Sequence, residues 1–226
     1  MSVTFSEEKK LWKKGWKRVA GLDEAGRGPL AGPVVAAAVF VEPGFRFRTV
    51  GFENIKDVKK LTPLKREEVY RLILQTPQIK WGTGKVSEKI IDKVNIFEAS
   101  KMAMRRALQN LEKKLSREFS GKFSRQSKID FLIIDGNFKI DVFLSQKSIV
   151  KADEKVFSCI AASIIAKVTR DRMMQRYHKK YPCYGFDRHK GYSTKFHRQM
   201  LRKYGPCKIH RQTFKPVGLA KGKNLC

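Results

Sequence analysis

Two periodicities alternate along the chain. Lys17 to Asp23 and Pro33 to Val41 are β-branched and apolar runs that predict two strands joined by a Gly-rich turn, and Phe45 to Phe52 predicts a third. Thr62 then caps a helix over Leu64 to Leu74, with Pro63 at its first position and Glu67 and Glu68 in its early turns. Ile79 to Val86 predicts another strand, weakened by Gly82 and Gly84. From Ser87 to about Phe119 the pattern is helical, with Met104, Leu108, Leu111 and Leu115 forming one apolar stripe. A charged loop over 116 to 128 leads to a short buried strand, Ile129 to Ile134, which ends in the turn Asp135-Gly136-Asn137. A brief strand near Ser148 to Val150 follows. Val156 to Tyr177 is a helix rich in small residues, and a final helix runs from Thr194 to about Lys203. Residues 1 to 17 form a short basic helix or arm. Leading strands followed by alternating helices and strands predict an α/β or α+β sheet with helices on its faces.

Composition makes the chain globular, with 42% apolar and 31% charged residues among 226. The longest apolar run, Val34 to Val41, is far short of the ~20 residues a spanning helix needs. No apolar segment of signal-peptide type follows the early lysines, so the expected location is the cytoplasm, with no membrane partner. Cys159, Cys183, Cys207 and Cys226 form no C-x-x-C pair, which argues against structural zinc and for reduced thiols. Charge changes the picture more. Forty-nine Lys and Arg against 21 Asp and Glu leave +28, and half of the excess lies between Arg170 and Cys226, where 16 basic residues meet two acids. Aromatic residues from Tyr177 to Phe214 are interleaved with these cations, as suits a nucleic-acid surface.

Against that basic background the acids at strand ends carry the information. Asp23 and Glu24 close the first strand, Asp135 closes the Phe131 to Ile134 strand, and Asp153 follows Ile149-Val150-Lys151-Ala152. Singly, Asp135 is explained by its turn and Asp153 by a helix cap. Together, carboxylates gathered where strands end repel one another unless cations share the site, which points to Mg²⁺ or Mn²⁺.

The string from Gly21 to Val34, Gly-Leu-Asp-Glu-Ala-Gly-Arg-Gly-Pro-Leu-Ala-Gly-Pro-Val, closely resembles the signature of type 2 ribonucleases H, specifically bacterial ribonuclease HII. The resemblance continues at Lys59-Lys60-Leu61, Ile134 to Asn137, Val150 to Asp153, Ala161 to Arg172, His189 to Thr194 and Gly205 to Phe214, in the family's order and over residues 18 to 216. It implies an α/β fold, a ribonuclease H-like mixed sheet flanked by helices with a C-terminal helical extension. The arm would be residues 1–17, the catalytic core 18–176, and the basic extension and tail 177–226. It also implies cleavage of the RNA strand of RNA/DNA hybrids and incision 5′ of ribonucleotides embedded in duplex DNA, by two Mg²⁺ or Mn²⁺ ions, leaving 3′-hydroxyl and 5′-phosphate ends. By this resemblance Asp23, Glu24, Asp135 and Asp153 are the catalytic metal ligands. Gly26, Arg27, Gly28, Lys59, Lys60 and Tyr192 are substrate-binding residues. Ribonucleotide excision repair and DNA replication are the implied settings, for a monomer.

Some positions depart from the family's pattern. Val58 and Ser193 stand where Ser and Gly are common, and Glu154 follows Asp153 where Ser is common, as a helix cap in preference to a metal-tuning group. Asp171, beside Arg170 and Arg172, is expected first as a salt-bridge partner and second as a group supporting the metal ligands. Residues 218 to 226 are too short and polar to show a sliding-clamp motif. Ribonuclease HIII is the rival within the superfamily, but it carries a folded N-terminal domain for which the residues before Asp23 are too few. A ribosomal-type RNA-binding protein would account for the charge but not for the four acids.

Overall fold

The computed structural model describes residues 5–45, 61–118 and 128–220. The expected third strand falls almost entirely outside these residues, as do Val58, Lys59 and Lys60 and most of the charged loop. Among the described residues five strands, β1 (Val19–Ala25), β2 (Val34–Val41), β3 (Ile79–Val86), β4 (Phe131–Asp135) and β5 (Ser145–Ile149), form one sheet in the order β3-β2-β1-β4-β5. The β1–β2 and β2–β3 pairs are antiparallel, whereas β1–β4 and β4–β5 are parallel, so the sheet is mixed. Helices α1 (Ser6–Lys13), α2 (Pro63–Gln75), α3 (Glu88–Glu118) and α4 (Phe157–Lys180) flank it.

Helices on both faces explain why β2 reads as unbroken apolar sequence: all eight of its residues are buried. Ala37, Val39 and Val41 pack on α2 and α4, while Val34, Ala36, Ala38 and Phe40 pack on α3. β3 forms over the expected residues, and Gly82 and Gly84 have a packing reason. They let α3 approach it: a Cβ on Gly84 would stand 2.1 Å from the Ala103 carbonyl oxygen, and one on Gly82 2.3 Å from the Leu111 nitrogen. The single long helix expected after Ser87 is broken at Asn95, where φ is 67°. The Asn95 Oδ1 accepts bonds from the Phe97 and Glu98 nitrogens at 2.9 and 3.1 Å, restarting the helix as a cap would.

The N-terminal segment is docked on the core. Phe5 is buried against Phe157, and Glu8, 1% exposed, accepts bonds at 2.9 Å from both the backbone nitrogen and the hydroxyl of Ser158. That carboxylate therefore sits on the N-terminus of α4, where the helix leaves backbone donors open.

After α4 come short helices α5 (Phe186–His189), α6 (Lys195–Tyr204) and α7 (Lys215–Gly218); an aromatic cluster that includes Tyr184 and Phe186 packs with residues of α4 and α6, while Val217 of α7 packs on Leu30 and Leu201. The helical extension is bonded to the Gly-rich turn between β1 and β2 through Leu30 N to Gly191 O and Gly32 N to Ile209 O, both 2.8 Å, and through an Ala31–His210 bridge. The 176/177 boundary expected from sequence falls inside α4. Cys159 and Cys207 are buried free thiols, while Cys183 is disulfide-bonded, contrary to the expectation of reduced thiols. No helix among the described residues is long and apolar enough to cross a membrane.

Candidate active site

Parallel pairing of β1, β4 and β5 gathers the acids at one end of the sheet. Leu22 pairs with Ile134, which brings the next residues, Asp23 and Asp135, side by side, and Asp135 pairs in turn with Ile149. The chain leaves β5 through Lys151, held at φ 59°, and turns Asp153 back toward the sheet in a 3-10 turn, Ala152–Glu154. Asp135 Oδ1 accepts a 2.6 Å bond from the Ala152 nitrogen, so one acid fixes the turn that carries another. Carboxylate oxygens of Asp23, Asp135 and Asp153 all lie within 4.8 Å of one another.

Glu24 lines the same cleft but stands outside that trio, because successive side chains in a strand leave on opposite faces. Its Oε1 lies 3.3 Å from Arg27 Nη1, and its Oε2 is buried with no hydrogen-bond partner. Burial, then the charges of Glu24 and Asp135, hold the Asp23 carboxyl well above the usual range, against a bond from Ser163. Burial also raises Glu24 to about 6, despite the opposing charge of Arg27. Four acids, three in mutual contact range and one with an orphaned oxygen, suit a hard divalent cation bound by oxygen.

The cleft, about 380 Å³, is also lined by Gly26, Arg27, Gly28, Arg66, Ser163, Lys167 and Tyr192. Thus the expected Gly-Arg-Gly segment and Tyr192 do meet the acids. A Cβ on Gly28 would touch the Tyr192 ring at 3.8 Å, and Lys167 Nζ and Arg170 Cζ lie 5.8 and 5.9 Å from its centroid. Lys59 and Lys60 lie outside the described residues. Asp171 is paired with Lys167 at 2.8 Å rather than with its neighbours Arg170 and Arg172. Residues four apart share a helix face and adjacent ones do not, so Asp171 reaches the cleft only through Lys167. Arg172 pairs instead with Glu67.

Several residues of the site carry no signal of that role in the sequence. Ser163 looks like one more small residue of α4, and Arg66 and Lys167 are two cations among 49. His197 and His210, which stand among the basic residues of the extension, are both buried. The Cys207 nitrogen donates to His210 Nδ1 at 2.9 Å, so His210 carries its proton on Nε2 and gives it to His197 Nε2 at 3.0 Å. His197 Nδ1 is left to donate to the Tyr192 carbonyl at 2.9 Å, which anchors the turn that presents Tyr192. Burial pushes His197 down to about 4 and His210 to about 3. Below the unfolded value of about 6.5, unfolded chains bind protons that the folded pair refuses, so this contribution to stability is present above pH 6.5 and lost as pH falls toward 4. We expect the Tm of the wild type to fall more steeply between pH 7 and 4.5 than that of His210→Phe, as followed by circular dichroism. Parallel curves would contradict the neutral relay. The opposite slope contributed by the raised carboxyls is common to both proteins and drops out of the comparison.

The chain is similar to known proteins over nearly its whole length. The ribonuclease HII family model matches residues 20–217. The ribonuclease HII of Chlamydia trachomatis serovar A is 44% identical over 225 residues, covering 97% of this chain and 94% of that protein. Among solved structures, the ribonuclease H2 of Pyrococcus horikoshii OT3 superposes with a TM-score of 0.67 at 28% identity, covering 89% of this chain and 95% of that one. A chain of the PCNA:RNase HII complex from Archaeoglobus fulgidus superposes with a TM-score of 0.63 at 28% identity, covering 92% and 98%. With an acid cluster fit for divalent metal at the end of a ribonuclease H-like mixed sheet, and with this similarity over nearly its whole length, the chain belongs to the ribonuclease HII family of metal-dependent endoribonucleases that act on RNA/DNA hybrids.

Proposed function

We propose that the protein incises duplex DNA on the 5′ side of an embedded ribonucleotide, besides cutting the RNA strand of hybrids, and that two divalent ions, Mg²⁺ or Mn²⁺, serve the reaction. The observation that carries this reading is the single cleft in which Asp23, Asp135 and Asp153 converge opposite the Gly26 to Gly28 backbone and the Tyr192 ring. Asp23, Glu24, Asp135 and Asp153 would hold the metal. Bound there, divalent cations supply positive charge against the scissile phosphate and lower the pKa of water in the cleft.

The protein's own groups do the selecting. Telling ribose from deoxyribose means detecting one 2′-hydroxyl, and a backbone segment flanked by glycines can come within hydrogen-bond distance of it. Tyr192, 43% exposed at the rim, offers its ring to the deoxyribose on the 3′ side of the junction. Lys167 and Arg66 face phosphate oxygens from the cleft wall, and the basic extension holds the duplex through counterion release. Lys59 and Lys60 join this set on the strength of the family's pattern, and Asp171 acts by holding Lys167 in place. A monomer at work in ribonucleotide excision repair and replication fits these roles. A sliding clamp stays open as a partner without support of its own: the A. fulgidus complex concerns that enzyme, and residues 218 to 226 show no clear docking motif.

The test is a DNA duplex with one ribonucleotide, incubated with the protein and Mg²⁺ or Mn²⁺. A nick that requires both the ribonucleotide and the metal, and that EDTA abolishes, is the expected result. A protein that cuts long hybrids but leaves this duplex whole would refute the proposal.

A further inference from the structure

Two fully buried arginines lie behind the substrate-facing loop, and neither forms an ion pair among the described residues. Arg170, on α4, donates from Nε to the Pro33 carbonyl (3.0 Å), from Nη2 to Ala31 (3.1 Å) and from Nη1 to Lys190 (3.0 Å). Arg211, on the C-terminal extension, donates from Nε to the Gly32 carbonyl (3.0 Å), from Nη1 to Arg27 (2.8 Å) and from Nη2 to Gly26 (2.6 Å) and Gly32 (2.9 Å). Both side chains are 0% exposed. Burial first, and then the charge of Arg170, lowers Arg211 to about 9. An aliphatic residue would avoid that cost but leave the buried carbonyls without a donor, so each cation exchanges a burial penalty for satisfied backbone acceptors.

The pair also sets position. Carbonyls from Gly26 to Pro33 point inward at planar donor forks whose geometry leaves little freedom, which turns the outer side of the same segment toward the cleft. Arg170 reaches across to Lys190 as well, two residues before Tyr192. It thereby ties the loop that would meet the 2′-hydroxyl to the turn that would meet the neighbouring deoxyribose. We infer that Arg170 and Arg211 are positioning residues that set the distance between the Gly26 to Gly28 backbone and Tyr192, and so fix the enzyme's selectivity for a single ribonucleotide at a junction with DNA. This rests on the proposed function. A lone ribonucleotide offers one 2′-hydroxyl and one following deoxyribose, which must be met in register. A uniform hybrid offers a 2′-hydroxyl at every step, so loss of register costs it less.

Arg170→Lys and Arg211→Lys keep the charge and lose the fork. For each we expect kcat/KM on the single-ribonucleotide duplex to fall about 30-fold, the order that a misplacement below 1 Å produces. The ratio of that rate to the rate on a uniform RNA/DNA hybrid should fall at least about fivefold, with Mn²⁺ binding measured by calorimetry unchanged. Equal losses on both substrates, or rates near wild type, would overturn the inference. Should the lysine variants fail to fold, the wild type still decides it by ¹⁵N spectroscopy of its guanidinium groups. Two groups with hindered Cζ–N rotation and exchange-protected Nη protons are expected, and freely rotating ones would overturn the clamp. A wild type that cuts the hybrid and not the single ribonucleotide refutes the proposed function instead, and the spectra then judge the clamp separately.

Discussion

Asp135→Asn should abolish nicking, by about 10³-fold or more, while leaving the fold at least as stable as the wild type without metal. The two halves of this expectation have one cause. Asp135 stands within 4.8 Å of Asp23 and Asp153 and raises the carboxyls of both Asp23 and Glu24 by its charge. Removing that charge removes an anionic ligand but also relieves repulsion that the metal-free protein must bear. The asparagine oxygen can still accept the Ala152 bond that shapes the following turn. Kinetics on the single-ribonucleotide duplex, paired with metal-free thermal melting, check the prediction. A variant that nicks at more than a tenth of the wild-type rate would remove Asp135 from the proposed ligands, and a marked fall in metal-free Tm would mean that its role is structural.

Gly26→Ala should cost both stability and activity. Gly26 sits at φ +100°, and a Cβ there would fall 2.1 Å from Arg170 Nε and 2.9 Å from the Pro33 carbonyl oxygen. A side chain usually yields to such an intrusion, but Arg170 is bonded to three carbonyls and has nowhere to go. Backbone strain at positive φ and the broken clamp together make a loss of about 3 kcal/mol reasonable. Displacement of the loop should lower kcat/KM by about 10²-fold, even where the variant remains folded. Denaturant unfolding and steady-state kinetics read the two effects. A Gly26→Ala protein within threefold of wild-type activity would show that the loop does not need its observed conformation.

Much of the architecture was open to a reading of the residues because burial on both sides of a sheet leaves a plain mark. β1, β2 and β4 are apolar without alternation, and their ends lie close to where the pattern changes. β5, Ser-Gln-Lys-Ser-Ile, is a half-exposed edge strand, so its polar residues hid its first three positions. The break at Asn95 was hidden too, since the apolar stripe of α3 resumes in phase after it. The four acids were legible together as carboxylates gathered near strand ends, and the ordered motif blocks around them carried the resemblance to the family. Their division into a trio and an outlying Glu24 depends on strand pleating and register, which only the paired strands reveal. Arg170, Arg211, His197 and His210 illustrate the limit. In a chain of +28 a further basic residue looks like surface, and nothing local shows that the extension folds back over these four and buries them.

The central claim, that the acid cluster directs water-driven cleavage beside a ribonucleotide, is tested most directly by the ends it leaves. A duplex with one ribonucleotide, labelled at either end and digested with Mg²⁺ or Mn²⁺, should yield a cut on the 5′ side of that residue, with a 3′-hydroxyl on one fragment and a 5′-phosphate on the other. A 2′,3′-cyclic phosphate at a cut on its 3′ side would contradict the claim, because the ribose's own hydroxyl would then be the nucleophile and a metal-held water would have no part.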